Sequence, residues 1–186
     1  DIKLDCITIS KKQLEFAKKR IFNAGLNEKV DIKFLDYRDV KGQYDSIASI
    51  EMIEAVGEKY LDKYFSMIKN NLKLGGTGAI QAIIIKDELY DQYRKSEDFI
   101  QKYIFPGGFL PSLQSIRDHT KKSGLQLKEY NSYGIHYSNT LKKWRENFIY
   151  SWSDISKQGF DQSFKKIWDF YFSYCEAGFK SKNIDL

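Results

Sequence analysis

The run Gly78-Ala79-Ile80-Gln81-Ala82-Ile83-Ile84-Ile85 constrains the fold more than any other part of this chain. It is apolar at nearly every position and is preceded by Gly75-Gly76. A strand with that pattern is covered on both faces, the situation of a parallel sheet packed between helices. The segments ahead of it agree. Residues 3–9, 30–35 and 44–50 read as strands, and helical patterns lie between strands. Ser10 opens the first helix with Gln13 as the far end of a capping box, and Gly25 stops it. Residues 58–72 form the next helix, with Tyr60, Leu61, Tyr64, Phe65, Ile68 and Leu72 on its apolar face and Gly75-Gly76 as its end. Alternation of this kind specifies an α/β fold.

The second half changes character. Residues 87–104 read as an aromatic helix, Ser112 starts a helix that stops at Gly124, and residues 125–133 read as a late strand. Residues 138–151 and 161–179 read as two long helices dense in Trp, Phe and Tyr. No repeat or linker separates the halves. The expectation is therefore a single, partial domain, with an α/β core in residues 1–86 and a helical part in residues 87–186. The opening Asp1-Ile2-Lys3-Leu4 has neither Met nor a signal-peptide pattern and reads as an edge within a longer protein. The first strand and Gly-rich turn of a nucleotide-binding sheet are missing from these residues. A final antiparallel strand, expected after Leu186, is missing too.

Composition narrows the function classes. Hydrophobic residues at 42% with charged residues at 30% describe a globular chain. No apolar run reaches the ~18–20 residues that span a bilayer. A net charge of +5, spread along the chain without a recognisable module, argues against nucleic acid as a partner. Cys6 and Cys175 are far apart, and with His119 and His136 they make no metal-ligand spacing, so no metal is expected. Two cysteines suit a reducing cytoplasm.

The candidate chemistry begins at Ser49-Ile50-Glu51-Met52-Ile53-Glu54-Ala55-Val56-Gly57. Glu51 and Glu54 lie just past the end of the strand at residues 44–50. In open α/β sheets ligands bind there, and acids are equally at home at a helix N-terminus; position alone leaves both readings open. Thr8 and Gln13 have hydroxyl and amide groups suited either to a ribose and base or to helix capping. Asp36 is either a ligand carboxylate or a turn residue, and Tyr37 offers a ring face.

Several motifs, in order, resemble one family. They are Ile7-Thr8-Ile9-Ser10-Lys11-Lys12-Gln13, Asp36-Tyr37-Arg38-Asp39, residues 49–57, Asp98-Phe99-Ile100 with Tyr103-Ile104-Phe105-Pro106-Gly107-Gly108, Leu110-Pro111-Ser112, residues 137–144 and residues 174–179. Together they resemble the cyclopropane-fatty-acyl-phospholipid synthases, S-adenosylmethionine-dependent lipid-modifying methyltransferases of the mycolic acid cyclopropane synthase type. The resemblance implies a class I, Rossmann-like methyltransferase sheet with a helical, aromatic-rich cap. It implies that Ile7, Thr8, Gln13, Asp36, Tyr37 and Ser49 bind S-adenosylmethionine. It also implies methyl transfer to the double bond of an unsaturated phospholipid acyl chain. The resulting carbocation then loses a proton to a bound bicarbonate, giving a cyclopropane, methylene or methyl branch.

By the same resemblance Glu54, Gln81, Ile83 and Tyr137 form the bicarbonate pocket. Gln81 stands where better-known members carry His, and Cys6 where relatives usually have Gly. Tyr103, Phe105, Tyr137, Trp144, Tyr171 and Tyr174 are candidates to shelter the cation, with core packing as their other reading. The resemblance further implies a peripheral association with the inner membrane face and allows a homodimer. A small-molecule methyltransferase and an inactive lipid-binding fragment are the competing readings.

Overall fold

The computed structural model describes residues 2–186, and its order of elements follows the alternation read above. Strand β1 (Leu4–Thr8) leads into helix α1 (Lys11–Asn23), which returns to β2 (Val30–Phe34). A 3-10 turn at Tyr37–Asp39 precedes β3 (Tyr44–Ile50). Two further 3-10 turns, Ile53–Ala55 and Glu58–Tyr60, lead into α2 (Leu61–Asn71) and β4 (Leu72–Gln81). Strands β1 and β2 pair in parallel, and so do β3 and β4, so the parallel sheet runs in two separate pairs. All four strands point their C-terminal ends the same way within each pair, and the candidate residues gather at those ends.

The Ser10 cap is built differently from the expected box. Ser10 Oγ accepts the Gln13 N–H, as expected, but the reciprocal bond is relayed through Thr8. The Ser10 N–H donates to Thr8 Oγ1 at 3.1 Å, and the Thr8 hydroxyl lies 2.9 Å from Gln13 Oε1. Thr8 can take this place because β1 ends two residues before the cap. At the other end Gly25 adopts φ +66°, the left-handed stop predicted for it.

The apolar run that opened the sequence reading is interrupted. Helix α2 ends at Asn71, and β4 starts at once at Leu72, through Gly75 at φ +78° and a register shift opposite Tyr44 and Ser46. Gly75-Gly76 therefore kinks a strand and does not end the helix. The strand stops at Gln81, and Ile84–Ile85 form a separate strand, β5. The physical reason is a carboxylate: the Ile83 N–H leaves the ladder and donates to Glu54 Oε1 at 2.6 Å. The split also sorts the side chains. Ala82 and Ile84 pack into one core with Ile53, Val56, Leu61, Tyr64, Phe65 and Ile68, whereas Ile83 packs against a second core built on Leu141, Phe172 and Phe179. The seam between the two cores runs through Ile83.

The helical half comprises α3 (Asp87–Tyr93), α4 (Phe99–Tyr103), α5 (Leu113–Lys122), α6 (Gly134–Tyr150), α7 (Trp152–Ser156) and α8 (Gln162–Lys180). Residues 87–104 make two helices instead of one, because Asp98 forms a complete capping box with Gln101 and starts a new one. Ser112 and Asp161 cap α5 and α8 as their types predict. The late strand expected at residues 125–133 is absent: these residues are irregular, with no ladder partner among the described residues. Their backbone is held elsewhere, the Leu125 N–H by the Thr120 carbonyl and the Tyr133 N–H by the Leu186 carbonyl. Antiparallel pairing does occur within the chain, since β6 (Ile184–Asp185) pairs antiparallel with β5. No helix among the described residues is long and apolar enough to cross a membrane.

Candidate active site

The sharp turn after β3 sets the centre of the site. Glu51 leaves the strand with φ +47°, a left-handed conformation in a residue that carries a side chain. That geometry costs a non-glycine residue about 1–2 kcal/mol, and strain of this kind persists where the surroundings impose it. Here the surroundings bind Glu51 at three points. Its N–H donates to the Gln81 carbonyl at 2.8 Å, its Oε1 accepts the Gln81 amide at 2.8 Å, and its Oε2 accepts the Tyr137 hydroxyl at 3.2 Å.

Glu54 sits in the following 3-10 turn, between buried Ile53 and Val56. Its Oε1 accepts the Ile83 N–H, and its carbonyl accepts the Phe109 N–H at 2.8 Å. Its Oε2 is buried and has no hydrogen-bond partner among the described residues. An orphaned buried oxygen is costly, and such an atom in a native site points to a ligand or to a proton. Burial pushes the Glu54 carboxyl above the usual carboxylate range, and the negative charge of Glu51 pushes it further the same way. Tyr137 is pushed up mainly by burial and then by Glu51, so its hydroxyl stays protonated as a donor.

The four residues expected to form one pocket are thus brought together: Glu54 with Ile83 directly, and Gln81 with Tyr137 through Glu51. The donor set does not fit a bicarbonate as arranged. The Ile83 N–H belongs to Glu54, and the Gln81 amide and Tyr137 hydroxyl both donate to Glu51. Glu51 is the residue that sequence reasoning left without a role. Its signal was a charged residue at a sharp strand-to-turn corner where glycine is the ordinary choice.

The cofactor candidates lie at the ends of β1, β2 and β3. Thr8 and Gln13 bond to each other, and the adjacent β2 end is tied in by the Leu35 N–H donating to the Thr8 carbonyl. Ile7 precedes Thr8 in β1, half-buried. Asp36 Oδ1 accepts the Arg38 N–H and Nε, and its Oδ2 accepts Nη2 at 2.7 Å. This clamp lowers the Asp36 carboxyl to about 2. A carboxylate has about four acceptor positions; three are used, which leaves room for one more donor. The Tyr37 ring meets Tyr64 edge-on at 6.0 Å, and the Tyr64 hydroxyl donates to Ser49 Oγ at 2.8 Å. Buried Tyr64 therefore braces both Tyr37 and Ser49. Burial raises its hydroxyl to about 12.

The aromatic candidates divide. The Tyr137 ring packs on Phe179 at 4.9 Å and on Trp144 at 6.1 Å. Tyr171 is held above its ordinary range by burial, with smaller contributions from Cys175, Tyr137 and Glu51, and it packs against the same core as Tyr137. Tyr103, Trp144 and Tyr174 are largely exposed and lie further out. Phe105 is 53% exposed and meets Tyr171 edge-on, so it connects the surface to the interior. Its loop turns through Gly107 at φ +81° and is fastened to Glu54 by the Phe109 N–H. Cys6 and Cys175 are unpaired thiols, and burial pushes Cys175 up to about 12.

The family model described as mycolic acid cyclopropane synthetase matches residues 1–186. Among curated proteins, the chain is 42% identical over 181 residues to a tuberculostearic acid methyltransferase of Mycobacterium tuberculosis, covering 97% of this chain and 42% of that protein. It is 32% identical over 186 residues to the cyclopropane-fatty-acyl-phospholipid synthase of Escherichia coli, covering 100% of this chain and 46% of the relative. The chain thus spans less than half the length of these two relatives. A crystal structure of a mycolic acid cyclopropane synthase, complexed with SAH and CTAB, superposes with a TM-score of 0.89 at 22% identity, over 100% of this chain and 68% of that one. The fold is that of a class I S-adenosylmethionine-dependent methyltransferase.

Proposed function

This chain belongs to the mycolic acid cyclopropane synthetase family, and from that premise we propose that its full-length protein is an S-adenosylmethionine-dependent methyltransferase that adds a one-carbon unit to the double bond of an unsaturated phospholipid acyl chain. One observation carries the reading. A buried carboxyl with an orphaned oxygen, Glu54, stands beside a second carboxylate and a tyrosine on the seam between the α/β core and an aromatic core. Ordinary O- or N-methylation needs only a positioned nucleophile. A carbon–carbon double bond is a weak nucleophile and leaves a cation, and a cation needs apolar shelter and an anion at close range.

The residues divide the work accordingly. Thr8, Gln13, Asp36, Tyr37 and Ser49 would hold the cofactor at the ends of β1, β2 and β3, with the remaining acceptor position of Asp36 suited to a ribose hydroxyl. Bound there, S-adenosylmethionine supplies an electrophilic methyl group. Ring faces of Tyr137, Tyr171 and Phe179 would lie along the developing cation, each worth about 0.5–2 kcal/mol in a dry site. Glu51 adds a field of the right sign, and the buried surround strengthens it. Exposed Phe105, with Tyr103 under the Lys102 ammonium at 5.4 Å, would form the approach from a membrane surface.

The test is an assay of the full-length protein with methyl-labelled S-adenosylmethionine and vesicles of mono-unsaturated phospholipid. Label should enter the acyl chain and fall by about a hundredfold or more in Glu54→Gln, which keeps an acceptor for Ile83 but replaces the buried carboxyl and its orphaned oxygen with an amide. A folded, cofactor-binding protein that labels a soluble amine or phenol and leaves the lipid unlabelled would overturn the proposal.

A further inference from the structure

We propose that Glu51 is the base of this site, a carboxylate of the protein itself that takes the place of an external anion. The inference rests on the reading of the reaction given above. Three features point to it. Glu51 is held in a left-handed conformation at a corner where a side chain is unfavourable, and its carboxylate is fixed there by two side-chain donors. That carboxylate takes up both side-chain donors that an anion at this place would need, Gln81 and Tyr137. Its neighbour Glu54 is held above the usual carboxylate range by burial first and then by the charge of Glu51, and its Oε2 meets no donor among the described residues, so the side-chain donors of the pocket converge on Glu51 and not on Glu54.

The step balances without a further co-reactant. Once the methyl has reached one alkene carbon, the other carries the positive charge. Glu51 accepts one proton from an adjacent C–H bond of the acyl chain. The electron pair of that bond remains on the acyl chain and closes a ring or a new double bond. Glu51 becomes a neutral acid and returns the proton to water, with the Tyr137 hydroxyl and the Gln81 amide holding it in place throughout. Gln81 suits this role because an amide steadies a neighbouring carboxylate without competing for the proton.

The experiment uses the full-length protein in the lipid assay, in buffer stripped of carbonate and in buffer with added bicarbonate. The wild type should turn over equally in both. Glu51→Gly removes the carboxylate, relieves the backbone and frees Gln81 and Tyr137. It should lose about a hundredfold or more in stripped buffer and regain activity when bicarbonate is added. Cofactor binding by calorimetry and a thermal melt report that the variant is folded. Wild-type turnover that requires bicarbonate, or a Glu51→Gly enzyme as active as wild type in stripped buffer, overturns the inference while leaving the lipid reaction standing. No label in lipid from folded, cofactor-binding wild type in either buffer removes the reaction itself, and the inference with it.

Discussion

The two ends of the candidate site are built on opposite plans. At the cofactor end the polar side chains bond to near neighbours: Thr8 to Gln13 five residues on, and Asp36 to Arg38 two residues on. At the reactive end the partners are remote in sequence: Glu54 to Ile83 across 29 residues, Gln81 to Glu51 across 30, and Tyr137 to Glu51 across 86. Most of the first end needs only its two turns and the β1–β2 pair, and Ser49 needs Tyr64 of α2 as well. The second exists only when β3, β4 and α6 have all docked. Local sites are robust and bind; sites assembled across elements are strained, partly unsatisfied and able to do chemistry.

Tyr137→Phe is the harshest way to break this contrast. It keeps the ring contacts with Phe179 and Trp144 and removes only the hydroxyl that reaches Glu51. Turnover should fall by about a hundredfold, with cofactor affinity unchanged. Equal losses in both would mean that the two ends are one unit.

A second prediction concerns the residue that seats α6. Asp185 Oδ1 accepts the Gly134 N–H at 2.8 Å and the Leu186 N–H, while Oδ2 accepts the Tyr130 and Ser132 hydroxyls. Gly134 is packed so closely that a Cβ there would lie 2.5 Å from the Asp185 carboxylate. Asp185 thus fixes the start of the helix that carries Tyr137 one turn later. Asp185→Asn should cost about 2 kcal/mol in denaturant unfolding of the full-length protein and lower turnover by mispositioning Tyr137. Unchanged turnover at reduced stability would show that α6 holds its register without the clamp.

A smaller change tests the local end. Asp36→Asn halves the grip on Arg38 and removes the charge suited to a ribose hydroxyl. Affinity for S-adenosylmethionine should weaken about tenfold, the equivalent of one charge-assisted hydrogen bond, with turnover at saturating cofactor retained. A large loss of turnover would contradict the division between the two ends.

The same contrast explains what the sequence disclosed. The parallel strands, α1 and the caps at Ser10, Ser112 and Asp161 were legible because they depend on short-range pattern. So was the placing of the candidate residues at the strand ends. The break at Ala82-Ile83 was hidden, because apolar alternation continues through it and only the remote Glu54 carboxylate diverts the Ile83 N–H. The strand expected at residues 125–133 failed for a related reason. Its residues have β character, but a strand requires a partner, and pairing is not written in the segment that pairs. Glu51 was seen as a carboxylate, yet its bonds to Gln81 and Tyr137 lie beyond any local motif.

The smallest effect expected concerns pH. Glu54 has its carboxyl raised by burial in the folded protein and relaxes to its ordinary value of 4.5 when unfolded. Between those two values the native state binds more protons than the unfolded state, so stability falls as pH rises through the window. Asp36 acts in the opposite direction and elsewhere: its carboxyl, lowered to about 2 from 3.8, supports the fold above 3.8, and that support is lost as pH falls through about 2. Melting curves of full-length wild type and Glu54→Gln should therefore agree below pH 4.5 apart from a constant offset and diverge above it, the wild type losing stability relative to the variant. Parallel curves across that range would mean that Glu54 titrates alike in the folded and unfolded chain, and the reactive end would then lack the unsatisfied, desolvated carboxyl that distinguishes it from the cofactor end.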